Sequence, residues 1–223
     1  MTRPWQTLDA VTTSEGRLEL RRRGESEFLI AIAGRVLMNS QASLSELALG
    51  RLACEAIATR SEPRVLIGGL GMAFTLRACL DVLPARAQIV VVELNEVVVR
   101  WCRETPLADL TARAALDPRV ELRVGDVADA IREAADPAGD RFDAVILDLY
   151  EGPHPGSSRD HPHYGQTALD VARAALRNGG VFALWSEDPN PSFEKHLTRA
   201  GFRVRSNRPG HGGRRHVVYI GQR

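Results

Sequence analysis

Three carboxylates follow apolar runs in the middle of the chain. Glu93 comes after QIVVV, Asp126 after VELRVG, and Asp148 after FDAVIL. Runs of this length that are rich in Val, Ile and Leu are typical of strands buried on both faces of a sheet. Ligands of open α/β sheets bind beyond the carboxyl ends of the strands, so the sequence predicts that the three acids face one crevice. An acid-lined crevice favours a cationic ligand over a phosphate.

A glycine-rich turn, Gly68–Ala73, follows the apolar run RVLI and precedes FTLRACLDVL, which has helical spacing. Glycines in such a turn let backbone N–H groups approach a ligand at a helix N-terminus, although tight packing of a strand against a helix explains them equally well. The dinucleotide fingerprint requires a third glycine where Phe74 stands. We therefore expect a sulfonium nucleoside, which is cationic and carries no phosphate. Glu93 would hold its ribose, Asp126 its adenine amino group, and Asp148 would face the reacting end.

The elements that must position these residues begin after Pro63. From there strand-like apolar runs alternate with stretches of helical spacing, which predicts an α/β fold with a doubly wound, mostly parallel sheet. The last two runs, around Phe202 and at His216–Ile220, are joined by a loop rich in Gly, Pro and Arg, so we expect an antiparallel hairpin at one edge. Such a terminal hairpin is typical of methyltransferase-type nucleoside folds and distinguishes them from ordinary dinucleotide folds.

The first 40 residues have a different pattern. Three short strand-like runs, LELRRR, FLIAIA and RVLM, are separated by glycines, so we predict a small N-terminal β appendage over residues 1–42. A Rossmann-like nucleoside-binding catalytic domain would then cover residues 43–223. Ser43 and Glu46 have the spacing of a capping box, which predicts that a helix begins there.

Composition and charge exclude several classes of protein. The 223 residues suit one large domain, 44% of them are hydrophobic, and the net charge is only +1. We therefore expect no nucleic-acid partner, and we interpret the basic stretches Arg21–Arg23 and 203–215 as solvated edges. The chain has no apolar run of about 20 residues and no signal-peptide core, so we expect no membrane partner and a cytoplasmic location. The three cysteines are interpreted as reduced core thiols.

Five segments resemble the spermidine synthase (polyamine aminopropyltransferase) family, and in particular its divergent spermidine-synthase-like members: VLIGGLGMAFTLRA, VVVELNEVV, DPRVELRVGDV, FDAVILDLYEGP and LRNGGVFALW. The resemblance implies a class I methyltransferase-like Rossmann fold and a transferase of polyamine biosynthesis. It implies decarboxylated S-adenosylmethionine or S-adenosylmethionine as cofactor, with methylthioadenosine or S-adenosylhomocysteine as product, and no metal. An amine is the implied small-molecule substrate, and a homodimer is the implied assembly.

By position, the resemblance implies six cofactor-binding residues: Gln41, Gly69, Gly71, Glu93, Asp126 and Asp148. Transfer from a sulfonium is an in-line displacement at carbon, and the attacking amine must lose a proton. Asp148 is predicted to accept that proton, and Tyr150 and Glu151 are predicted to contact the acceptor amine. The segment EGPHPGSSRDHPHYGQ, residues 151–166, is interpreted as a lid over the pocket.

Three departures from the family pattern leave the reaction open. Met72 stands where the family has an acid in its glycine loop, Glu151 replaces the second aspartate of the motif Asp-Ser-Ser-Asp-Pro, and the helix after Gln41 lacks the family's tyrosine. Aminopropyl transfer to an amine is the first hypothesis. The alternatives are a methyltransferase that uses S-adenosylmethionine itself and a nucleoside-binding homologue that has lost catalysis.

Overall fold

The computed structural model describes residues 3–104, 106–154, 160–210 and 216–223. Residues 155–159 of the predicted lid and residues 211–215 of the basic loop lie outside these ranges. The described residues form two β-sheets, one of four strands and one of seven, together with seven α-helices.

The smaller sheet is N-terminal and antiparallel, with its strands in chain order: β1 (Gln6–Thr13), β2 (Gly16–Arg23), β3 (Glu27–Ile32) and β4 (Arg35–Asn39). Strands β2, β3 and β4 confirm the predicted ribbon, and β1 is an additional strand. The apolar face of this sheet is buried against the larger part of the molecule through Leu18, Leu20, Phe28, Ile30 and Ile32. The division into domains at residue 42 stays a prediction.

The larger sheet contains the strands that the alternating pattern predicts: β5 (Arg64–Gly68), β6 (Gln88–Glu93), β7 (Val120–Val124), β8 (Phe142–Leu147), β9 (Leu176–Ser186), β10 (Arg203–Asn207) and β11 (Val217–Gln222). Their order is β10-β11-β9-β8-β5-β6-β7. Strands β5 to β9 are parallel, whereas β11 runs antiparallel to both β9 and β10. The doubly wound sheet with a terminal antiparallel hairpin is therefore confirmed.

The helices of the described ranges are α1 (Leu44–Glu55), α2 (Phe74–Val82), α3 (Glu96–Arg103), α4 (Leu107–Leu110), α5 (Val127–Ala135), α6 (Gln166–Ala174) and α7 (Pro191–Arg199). Each of them is too short or too polar to cross a lipid bilayer. The short helix α4 has no counterpart among the predicted elements. The cysteines, Cys54, Cys79 and Cys102, are buried and free, as expected of core thiols.

Helices cover both faces of the larger sheet because successive side chains of a strand point to opposite faces. In β5, Val65 and Ile67 belong to a hydrophobic cluster with α1, α2, α3 and the N-terminal sheet, whereas Leu66 belongs to a second cluster with α5, α6 and α7. All six residues of β8 are buried. The uninterrupted apolar runs of the sequence therefore reflect two buried faces, and the carboxyl ends of these strands emerge at one edge of the core.

Candidate functional site

A cavity of about 290 Å³ lies between the carboxyl ends of β5, β6, β7 and β8 and the inner face of the N-terminal sheet. Its apolar wall includes residues of β2, β3 and β4: Leu18, Ile30, Ile32, Leu37 and Met38. Three of the polar residues of the wall, Glu93, Asp126 and Asp148, come from the strand ends, where the sequence predicts a ligand. The larger sheet therefore forms one side of the cavity, and the N-terminal sheet forms the other.

Glu93 ends β6 and has only 8% of its surface exposed. Its Oε2 accepts the backbone N–H of Leu70 at 2.8 Å, and its Oε1 accepts the backbone N–H of Asn95 at 2.9 Å. Burial raises the pKa of Glu93, and the hydrogen bonds from the backbone oppose that rise. A carboxylate oxygen that accepts one bond has capacity for another, so this fixed carboxylate is suited to two neighbouring hydroxyl groups of a ribose.

The glycine-rich turn contacts the cavity through Gly69 and Gly71. Gly69 has φ +87°, and a Cβ at this position would collide with the carbonyl oxygen of Asp148, so the close approach of the two strand ends requires glycine. The backbone N–H groups of four residues of the turn have acceptors within the protein: Gly69, Leu70, Met72 and Ala73.

The side chain of Met72 lies away from the cavity. It is completely buried in the core, while its N–H donates to the sulfur of Met38 at 3.1 Å. Gly71, the preceding residue, lines the cavity instead. The side chain of Met72 is therefore not part of the cavity wall.

Asp126 caps the N-terminus of α5 by accepting the backbone N–H of Ala128 at 2.9 Å. The same oxygen lies 3.0 Å from Nε2 of His163, which belongs to the predicted lid segment. Burial raises the pKa of Asp126, but the hydrogen bonds from His163 and Ala128 outweigh that effect and leave the pKa below its ordinary value. Asp126 is therefore a charged acceptor at the edge of the cavity. The described end of the lid segment, which includes His161 and His163, also lines the cavity.

Asp148 directly follows β8 and faces the same cavity. Its backbone N–H donates to the carbonyl of Gly68 at 2.8 Å, and its Oδ2 accepts the hydroxyl of Thr75 at 2.7 Å. Desolvation, reinforced by the negative charge of Glu46, raises the pKa of Asp148 to about 7. A carboxyl group with this pKa exchanges protons near neutral pH, which is the property required of a general base.

Glu46 is a cavity residue that the sequence analysis assigned to a capping box. Ser43 is the N-cap residue of α1, as predicted, but its side chain makes no capping hydrogen bond, so the predicted capping box is not formed. The carboxylate of Glu46 instead lines the cavity and accepts the hydroxyl of Ser45 at 2.7 Å. The missed signal is its position on the apolar stripe of α1, since Leu49 and Ala53 follow it by three and seven residues.

Tyr150 and Glu151 lie at the rim of the cavity. The hydroxyl of Tyr150 donates to Oε1 of Glu15 at 2.8 Å, and this bond raises the pKa of Tyr150 to about 12. Glu151 forms an ion pair with Arg35 at 2.9 Å. Glu15 and Arg35 both belong to the N-terminal sheet or its turns, and no local pattern identified either of them. The rim is thus formed by contacts between the two sheets.

Gln41 is separated from the other predicted cofactor residues. It is exposed, lies in the turn between β4 and α1, and is not among the residues that line the cavity. Its backbone N–H donates to the side-chain oxygen of Asn39, which fixes the turn. The structure therefore brings together Gly69, Gly71, Glu93, Asp126 and Asp148, and it leaves Gln41 outside.

The charge of the cavity wall is strongly one-sided. Six carboxylates line it: Glu15, Glu46, Glu93, Asp126, Asp148 and Glu151. The described lining residues include no lysine and no arginine. Such a wall attracts cations and disfavours anions, because charges of the same sign repel most strongly where water is scarce.

Solved spermidine synthases share the fold. A spermidine synthase in complex with the transition state analogue AdoDATO matches with a TM-score of 0.75 and 16% identity, over 97% of this chain and 72% of that chain. The spermidine synthase from Thermotoga maritima matches over the same shares with a TM-score of 0.76 and 17% identity. A probable spermidine synthase from Corynebacterium glutamicum ATCC 13032 has a TM-score of 0.65 and 20% identity, over 97% of this chain and 79% of that chain.

Similarity in sequence supports the same relationship. A polyamine aminopropyltransferase from Prochlorococcus marinus (strain MIT 9313) is 29% identical over 134 residues, which are 60% of this chain and 44% of the relative. The chain thus spans less than half the length of this curated relative. Residues 56–200, more than half of the chain, match the family model of the spermine/spermidine synthase domain. The chain therefore belongs to the spermine/spermidine synthase domain family.

Proposed function

We propose that this protein is a transferase that moves an aminopropyl group from decarboxylated S-adenosylmethionine to an amine. The observation that carries the proposal is the wall of six carboxylates with no lysine or arginine among its described residues. The donor carries a sulfonium and a primary ammonium and no anionic group. The acceptor amine also arrives as a cation. Both substrates therefore match the charge of the cavity.

The same wall disfavours S-adenosylmethionine, whose amino acid part ends in a carboxylate. Binding of that carboxylate requires a positive side chain or available backbone N–H groups, because a buried charge without a partner is costly. The glycine-rich turn does not supply such donors readily, since the N–H groups of Gly69, Leu70, Met72 and Ala73 are already bonded. Methyl transfer from S-adenosylmethionine is therefore the less favoured alternative.

Five of the residues that line the cavity have a chemical role in the proposed reaction. Glu93 holds the two ribose hydroxyls, and Asp126 accepts from the adenine amino group. Attack by the amine nitrogen forms the new C–N bond as the C–S bond of the sulfonium breaks, and methylthioadenosine leaves. Asp148 accepts the proton that the amine loses, for which its pKa of about 7 is suited. Tyr150 and Glu151 contact the acceptor at the rim.

Calorimetry with three ligands tests the proposal. We expect decarboxylated S-adenosylmethionine to bind more than tenfold more tightly than S-adenosylmethionine, which corresponds to about 1.4 kcal/mol. Methylthioadenosine, which has neither the sulfonium nor the ammonium, measures the contribution of the nucleoside alone. A preference for S-adenosylmethionine would indicate methyl transfer. Binding of none of the three ligands would contradict the nucleoside site itself.

Turnover with a primary amine separates an active transferase from a homologue that binds the nucleoside without catalysis.

The proposal also includes a homodimer, a cytoplasmic location and a boundary between an appendage and a catalytic domain at residue 42. Analytical ultracentrifugation of the purified chain measures the oligomeric state directly.

A further inference from the structure

We infer that Glu46 and Asp148 together bind one primary ammonium group of a substrate. The inference rests on the proposed function and deepens it, because it assigns the ammonium to a specific pair of carboxylates. One of the two residues, Asp148, is the predicted base. The other, Glu46, comes from α1, and the sequence pattern assigns it only to a helix cap.

The first argument is the charge of the pair. Glu46 has 6% of its surface exposed, and none of the ion pairs between described residues includes Glu46 or Asp148. The repulsion between the two acids is strong enough to contribute to the raised pKa of Asp148. Two neighbouring carboxylates in a water-poor site are stabilised together by a cation that contacts both.

The second argument is that hydrogen bonds through Ser45 and His216 hold the carboxylate of Glu46 in place. Its Oε2 accepts the hydroxyl of Ser45 at 2.7 Å, and Ser45 Oγ lies 2.9 Å from Nδ1 of His216. The ring of His216 in turn packs edge-on against Trp185, which lines the cavity. None of the hydrogen bonds between described residues uses Oε1 of Glu46. One oxygen of the carboxylate is thus fixed, and the other is available to a ligand.

The third argument is the connection between the two acids. The hydroxyl of Thr75, in the first turn of α2, lies 2.7 Å from Oδ2 of Asp148 and 3.1 Å from the backbone oxygen of Glu46. The start of α1, the start of α2 and the end of β8 therefore meet at one side chain. This contact fixes the carboxyl group of Asp148 relative to the backbone of Glu46 before a ligand arrives, which reduces the cost of binding.

Two substrates carry the group that this pair recognises. The donor has a primary ammonium at the end of its aminopropyl arm, and a diamine acceptor has a second ammonium besides the attacking nitrogen. The chemistry is the same in both cases, a primary ammonium between two carboxylates. Binding of the donor alone distinguishes the two sources, because the acceptor is absent from that measurement.

The test uses Glu46→Gln, which keeps the size of the side chain and removes its charge. Glu55→Gln is the matched control, since Glu55 lies on the same helix and pairs with Arg51 at the surface. The measurements are the affinities for decarboxylated S-adenosylmethionine and methylthioadenosine, and the KM for 1,4-diaminobutane. Loss of a hydrogen bond to a charged group predicts about a tenfold or greater weakening for the ligand whose ammonium is bound.

If the pair binds the donor ammonium, Glu46→Gln lowers the affinity for decarboxylated S-adenosylmethionine. The affinity for methylthioadenosine stays within about twofold of that of the unmodified protein. If the acceptor ammonium is bound, donor affinity is kept and the KM for the diamine rises. The inference is wrong if both quantities stay within about twofold while the unmodified protein prefers the decarboxylated donor. Absence of that preference in the unmodified protein overturns the proposed function and this inference with it.

A second variant keeps the test decisive if Glu46→Gln unfolds. Ser45→Ala preserves the carboxylate of Glu46 and removes the hydrogen bond from Ser45 that holds it. We expect this change to lower the affinity for the same ligand by about threefold. If Ser45→Ala changes neither the affinity for decarboxylated S-adenosylmethionine nor the KM for 1,4-diaminobutane, the argument that Glu46 is held in place for binding is wrong.

Discussion

Asp143 and Asp148 lie at the two ends of β8, five residues apart, and their surroundings are opposite in charge. Asp143 is 1% exposed and has three partners: the guanidinium groups of Arg60 and Arg177, and the backbone N–H of Arg64 at 2.6 Å. Asp148 has the hydroxyl of Thr75 at 2.7 Å and another acid, Glu46, nearby. One end of the strand has a carboxylate paired with arginines, and the other end has a carboxyl group that forms no ion pair with any described residue.

The difference indicates what each aspartate does. A buried carboxylate surrounded by arginines stabilises the fold at its own position, and a ligand has nothing to add there. A carboxylate without a cation lowers stability, but it leaves binding energy for a positively charged ligand. From this comparison we propose a structural role for Asp143 and a functional role for Asp148, and three experiments test that proposal.

The largest effect is expected from Asp148→Asn. This change removes the proton acceptor, so we predict that kcat for aminopropyl transfer falls by about 10²- to 10⁴-fold. Affinity for methylthioadenosine should stay close to that of the unmodified protein, because Glu93 and Asp126 are unchanged. Stopped assays of product formation, with calorimetry as the binding control, make the measurement. Full turnover with normal nucleoside binding would refute the assignment of Asp148 as base.

Asp143→Asn should show the reverse pattern. It removes the charge that pairs with Arg60 and Arg177, and we predict a loss of about 2 kcal/mol in the free energy of unfolding. The loss is smaller than for a fully buried pair because the two arginine side chains are 32% and 40% exposed and can be hydrated again. Denaturant unfolding measures it, with Asp109→Asn as an exposed control. Equal stability of the two variants would contradict the structural role of Asp143.

The third effect is expected in the pH dependence of stability. The pKa of Asp148 is about 7 in the folded protein and near its ordinary value of 3.8 in the unfolded chain. Between these values the folded state holds a proton that the unfolded state releases, so the contribution of Asp148 to stability decreases as the pH rises from about 4 to 7. Buried Glu93 also has a raised pKa, so both proteins should respond to pH, but thermal unfolding across this range should show a larger decrease in stability in the unmodified protein than in Asp148→Asn. A parallel response of both proteins would contradict the raised pKa.

The same comparison shows what the sequence could predict. Strands β5, β6 and β8 are continuous apolar runs because both of their faces are buried, so their existence and the acids at their ends follow from the sequence alone. Strand β1 was missed because most of its side chains are exposed, and hydrogen bonds to β2 hold it in place. An edge strand of this kind leaves little periodic signal.

The site was predicted less completely than the fold for a related reason. Glu93, Asp126 and Asp148 lie at strand ends, where topology determines which way they face. Glu46 occurs in a sequence pattern that fits a helix cap as well as a cavity wall, and only packing of α1 against α2 distinguishes the two. Glu15 comes from a turn of the N-terminal sheet, and its position depends on how the two sheets pack together.

The arginine cluster around Asp143 also has a consequence for divergence within the family. Arg60 and Arg177 contact β8 at the end remote from the cavity, whereas Asp148 and the residues that follow it line the cavity. The spermidine synthases with 16 to 20% identity to this chain share its architecture, so most positions have already been exchanged. We therefore expect substitutions at the cavity end of β8 to change ligand binding more than stability, and substitutions at the opposite end to change stability more than ligand binding.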